Sequence, residues 1–208
     1  MRHQSFVRRA GLLCMAGGLL QLLYGLLSVP FDFARDAAGW PEGLWALVTF
    51  CTSAGVLGLL ASGVARTPRV AVLGATLVLL GGLIRIVIGV RYAVLPDSTG
   101  TNSLLTLLLL VSILLLLLGL LPLGVTTLRG GHVTGWRAWT PLLVWGYAFL
   151  PVGVYSISRF WHFLLLGLWG IPWLLLGYFV FTLAAPPVPA GHPPAGAIAV
   201  AKNERSFQ

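Results

Sequence analysis

Apolar residues run for about 20 positions at a time, six times along the chain, and polar residues collect in the short stretches between them. Roughly 20 apolar residues at 1.5 Å per residue cross ~30 Å of hydrocarbon, so each run predicts a membrane-spanning helix. The predicted spans are Ala10 to Val29, Leu44 to Ala65, Val70 to Val90, Leu104 to Leu128, Pro141 to Ile157 and Phe163 to Ala184. The fifth is short and carries Pro151 and Gly153, so it is either a full crossing or a re-entrant element lined by protein. The predicted fold class is all-α: a polytopic integral membrane helix bundle of six transmembrane helices occupying residues 1–184. Residues 185–208 hold Pro186, Pro187, Pro189, Pro193 and Pro194 and are expected to form a disordered tail.

Composition agrees with lipid as the main solvent. Hydrophobic residues make up 58% of the 208 positions and charged residues 9%, against about 25% charged in a soluble domain. Charge also fixes orientation, because Lys and Arg in short loops stay on the cytoplasmic side. Arg2, Arg8, Arg9, Arg66, Arg69, Arg129, Arg137, Lys202 and Arg205 fall at the N-terminus, in alternate loops and in the tail. Asp32, Asp36, Glu42 and Asp97 fall in the others, with Arg35, Arg91 and Arg159. Both termini are therefore expected in the cytoplasm. The net charge of +8 is spread over several junctions with lipid, which points to anionic headgroups and not to nucleic acid. The first span is read as retained, since Val29 to Ala34 has no small-residue cleavage pattern. Cys14 and Cys51 are placed at depths about 14 Å apart, too far for a disulfide.

Glycine spacing suggests how the helices pack. Gly11, Gly18 and Gly25 repeat every seven residues, as do Gly74 with Gly81 and Gly82 with Gly89. Small residues in such rows let membrane helices approach closely, so spans one, two and three are expected to form a tight inner cluster. Span four is nearly pure Leu and is expected at the periphery, facing lipid.

Candidate chemistry is sparse. Arg85 is the one charge inside a predicted span, and a guanidinium at the bilayer centre costs at least ~2.5 kcal/mol. It is expected either to snorkel or pair structurally, with Asp32, Asp36, Glu42 or Asp97 as partners, or to hold an anion or lipid headgroup. Pro151 frees the carbonyl of Tyr147 and Pro172 that of Leu168, because proline has no N–H to donate. Interrupted helices at mid-depth can mark a ligand site. The candidate ligand or lipid-headgroup site is accordingly Arg85, Trp169, Trp173, Tyr147 and Tyr155. Trp40, Trp45, Trp136, Trp139 and Trp161 fit interfacial belts. His3, His132, His162 and His192 are isolated in sequence, no predicted span contains Asp or Glu, and no catalytic, metal or nucleotide motif is present. No cofactor is expected.

The sequence thus favours a non-enzymatic multi-pass membrane protein that acts through helix packing or lipid contact, as a subunit or regulator of another membrane protein or of itself. The alternative is a small-solute or lipid transporter or binding bundle built on Arg85 and the kinked fifth and sixth spans. Abundant Arg, Ala, Gly, Leu and Pro suggest a bacterial source and hence the plasma membrane.

Overall fold

The structure is a computed structural model that describes residues 2–31, 40–65, 67–95, 103–130, 135–154 and 158–184. The tail beyond residue 184 and Tyr155 lie outside the described residues, as do the side chains of Asp32, Asp36, Glu42 and Asp97. The described chain is helical, with no strand. Helices α1 (Arg2–Phe31), α2 (Trp40–Ala61), α3 (Pro68–Val94) and α4 (Ser103–Arg129) are single rods. A 3-10 turn, Gly135–Trp139, leads into α5 (Thr140–Tyr147) and α6 (Phe149–Val154), followed by α7 (Arg159–Leu168) and α8 (Gly170–Leu183).

Five helical stretches are long and apolar enough to cross a membrane: the first four, and α7 with α8 taken together. The predicted fifth span is the exception, being divided into α5 and α6. The break follows from Pro151, which has no N–H for the Tyr147 carbonyl; the Ala148 N–H instead closes a tighter turn onto Trp145 at 3.2 Å. Pro172 likewise divides the sixth span, ending α7 at Leu168 and starting α8 at Gly170.

The spans stand in chain order around a ring, α1 to α2, α3, α4 and α5, and α8 closes the circle on α1. Successive spans run antiparallel, so the start of α1 and the end of α8 share one face of the bundle. There the His3 ring donates through Nε2 to the Ala61 carbonyl at 2.7 Å, and the Arg8 guanidinium lies 5.0 Å from the Phe181 ring centre.

The glycine row of α1 packs on α7 and α8 and not, as expected, within a cluster of the first three spans. A Cβ at Gly18 would lie 2.7 Å from the Gly170 carbonyl oxygen, one at Gly11 2.8 Å from the Gly177 carbonyl oxygen, and one at Gly25 would overlap the Gly167 Cα. Span six carries its own row, Gly167, Gly170 and Gly177, so two backbones meet with no side chain between them. Helix α2 lies between α1 and α3, which do not touch over any extended length. The two free cysteines are also nearer in depth than expected: Cys51 packs on Gly17, one turn from Cys14, which packs on Gly55.

Helix α4 is not merely peripheral. Ser112 and Gly119, seven residues apart, mark a face that α3 covers, with Gly119 against the Gly74 carbonyl and Ser112 against Gly81. Leu105, Leu116, Leu120 and Leu123 are buried on that side, while Leu104, Leu107, Leu114 and Leu118 remain exposed on the other. The missing signal was a polar and small pair hidden in a run of Leu. Gly146, by contrast, has open space where its Cβ would stand. Gly146→Ala is expected to leave unfolding in mixed micelles unchanged or to stabilise by up to ~1 kcal/mol, from the lower entropy cost of helix formation.

Candidate functional site: a cavity around Arg85

Hydroxyls inside the spans satisfy themselves, since lipid offers no partner. Thr49 donates to the Trp45 carbonyl at 2.9 Å, Thr127 to Leu123 at 2.8 Å and Ser112 to Leu109 at 2.6 Å. Ser112 has acceptor capacity left, and the Nε–H of Arg85 donates to its oxygen at 3.3 Å. Gly81 makes this possible, because a Cβ there would stand 2.7 Å from the Ser112 carbonyl oxygen and hold α4 away.

Arg85 is 9% exposed. Because α3 runs one turn beyond its predicted end, to Val94, Arg85 sits about 13 Å from that end at helical rise. It points into the bundle and does not snorkel to the lipid surface. Its guanidinium carbon lies 5.8 Å from the centre of the Trp45 ring, within cation–π range. No enclosed side-chain nitrogen or oxygen among the described residues lacks a partner. The terminal amino groups of Arg85, for which the described residues supply no acceptor, are therefore in contact with open space.

That space is a cavity of about 680 Å³, inside the ~300–1,000 Å³ range of ligand sites. Every span contributes to its wall. Tyr24 comes from α1, Trp45 from α2, Arg85, Ile88, Gly89 and Tyr92 from α3, and Leu109, Ile113 and Leu116 from α4. Ala148 at the break, Pro151 in α6, His162 and Leu166 in α7 and Trp169 between α7 and α8 complete it. These residues occupy the half of the bundle away from the two termini. Among the described lining residues Arg85 is the one Lys or Arg, and none is acidic.

Both helix breaks shape the wall. With the Ala148 N–H turned to Trp145, the Val144 carbonyl is released and accepts the indole N–H of Trp169 at 3.1 Å. The carbonyl of Pro151 accepts from Nδ1 of His162 at 2.9 Å, which fixes that proton on Nδ1 and leaves Nε2 as the ring's other polar atom. The Gln21 amide, 2% exposed, donates to the Leu166 carbonyl at 3.1 Å and ties α1 to the turn before the second break.

Of the residues singled out in the sequence, Arg85 and Trp169 meet in this cavity. Trp173 lies behind Trp169, ring centres 6.3 Å apart, in the packed core, where its carbonyl accepts the Cys14 thiol at 3.4 Å. Tyr147 is half-buried against the same core and stays outside the cavity wall. Trp45, read from sequence as an interfacial anchor, covers Arg85 instead, and His162, read as isolated in sequence, is brought to the Pro151 carbonyl by the fold. No known protein family, curated protein or solved structure matches this chain. The cavity itself must carry the functional reading.

Trp169 has a structural duty that can be separated from any binding role. Trp169→Phe keeps most of the ring and strands the Val144 carbonyl, which is expected to lower unfolding stability by about 1–3 kcal/mol. Trp169→Ala also opens a void, and a loss of ~3–5 kcal/mol is expected. Denaturation in mixed micelles, followed by helical circular dichroism, measures both.

Proposed function

We propose that this is a multi-pass protein of a bacterial plasma membrane that holds an anionic ligand against Arg85 inside the bundle. The role is binding or transport, not catalysis, and no cofactor takes part. The observation that carries this reading is a guanidinium buried in a largely apolar cavity with its terminal amino groups open to that space. A charge so placed is costly, and an anion at Arg85 would offset the cost while gaining paired, charge-assisted hydrogen bonds. Ser112 orients the guanidinium through Nε, which leaves the fork of terminal N–H groups for the ligand. Tyr24, Tyr92 and His162 add polar groups to the same wall.

The charge pattern supports cytoplasmic termini, with basic residues beside anionic headgroups on that side. In this orientation the cavity lies in the outer half of the membrane. A role in packing alone, as a subunit or regulator, accounts for the glycine seams and leaves the cavity without a purpose.

Mass spectrometry of small molecules that co-purify with the wild-type protein and with Arg85→Met tests this reading. The expected result is an anionic species near one per chain in the wild type and depleted at least tenfold in the variant. Equal retention by both proteins, or no anionic species in either, would overturn it.

A further inference from the structure

We infer that the ligand is a long-chain acyl amphiphile with an anionic head, taken sideways from the membrane through a gap between α4 and the α6–α7 pair. This rests on the reading of the cavity as an anion site and adds the ligand's class and its route. The ring of spans is closed unevenly. In the half nearest the termini α5 packs on α4, where a Cβ at Gly124 would lie 2.6 Å from the Leu142 side chain. In the other half the backbone of α4 runs along α3 and has no extended contact with α6, α7 or α8. Among the described helices, α7 has extended contact with α1 and α6, apart from α8, its continuation. The contact of α4 with this span ends at the break that Pro151 makes, since α4 touches α5 and has no extended contact with α6.

The residues at the gap belong to two surfaces at once. Leu109 and Leu110 line the cavity and are 40% and 59% exposed, Leu110 as much as Leu107 and Leu114 on the outward face of α4. Pro151 lines the opposite lip, next to Leu150 and Phe149, each 48% exposed. A path from the lipid-facing surface to the cavity therefore passes between apolar lips, which an acyl chain enters without loss, while its head crosses them once and its desolvation is offset by pairing with Arg85. Ile113, Leu116 and Leu166 continue the apolar wall inward, and the path ends at Arg85. An apolar passage that terminates in one buried guanidinium matches one chain with one negative head, either carboxylate or phosphate.

A fatty acid carrying a mid-chain diazirine, irradiated with the wild-type protein in micelles, tests this directly. Crosslinks are expected at the lining residues Leu109, Ile113, Leu116 and Leu117 and within residues 162–169. Hexadecanoate or a lysophosphatidate should compete, the better competitor identifying the head, and hexadecanol should not. Leu110→Trp fills the gap and is expected to slow labelling at least fivefold; Leu109→Phe provides the same test should the first variant fail to fold. Crosslinks confined to the outward residues Leu107 and Leu114, or equal competition by hexadecanol, would overturn the inference. Benzoate separates the two levels: if it binds in an Arg85-dependent way while the long-chain probe stays outside, the anion site stands and the acyl ligand falls. If neither carboxylate binds through Arg85, both fall.

Discussion

Replacing Arg85 by Met is expected to move stability and binding in opposite directions. In ligand-free protein the variant should be more stable by about 1–3 kcal/mol, because a buried charge is exchanged for a flexible apolar side chain of similar length. Against this gain stand one hydrogen bond to Ser112 and the contact with Trp45. A cation–π contact contributes roughly 0.5–2 kcal/mol and a charged hydrogen bond about 1.5–3 kcal/mol, and both must first recover the desolvation of the guanidinium. Binding of an anionic ligand should meanwhile fall at least tenfold, or ~1.4 kcal/mol. Unfolding of ligand-depleted protein and ligand retention together measure the two effects. A stability loss of 2 kcal/mol or more, with retention unchanged, would make Arg85 a structural residue.

The second large effect falls on the seam between α1 and the sixth span. Gly18→Leu places a branched side chain where the Gly170 carbonyl oxygen stands 2.7 Å from the first added atom, with the Leu174 backbone nitrogen at 2.8 Å. Neither neighbour is the end of a flexible side chain, so the helices must part. Overpacking of this kind costs about 1–3 kcal/mol and occasionally more. Here it should reach the upper end, because parting α1 also breaks the bond from Gln21 to Leu166. In a chain of this length ~3 kcal/mol corresponds to a fall in melting temperature of roughly 6–12 °C. Gly146→Ala, at a position with free space, is the matched control, and an equal fall in both variants would contradict the seam.

Much of this architecture could be read from residue order alone. Pro151 and Pro172 broke the fifth and sixth spans where their missing N–H groups required, since that constraint is local. Glycine rows marked the faces of close approach for the same reason. What the rows could not state was the partner: a strip of missing side chains is complementary to any similar strip, and the choice of α7 and α8 over α2 and α3 depends on how the ring closes. Arg85 and Trp169 stood out as a charge and an aromatic at a kink. His162 and Trp45 did not, because their roles arise from contacts with Pro151 and Arg85 that the fold makes and no local pattern announces. The cavity is a property of divergence between helices, and composition carries no trace of it.

Melting of the wild-type protein and Arg85→Met during titration with hexadecanoate, and separately with hexadecanol, tests the central claim most directly, because the two compounds share a chain and differ in head charge. A ligand that binds only the folded state raises the melting temperature with the logarithm of its concentration. The account predicts such a rise for wild type with hexadecanoate alone, and none for Arg85→Met with either compound. Parallel rises in both proteins, or a rise with hexadecanol equal to that with hexadecanoate, would contradict it.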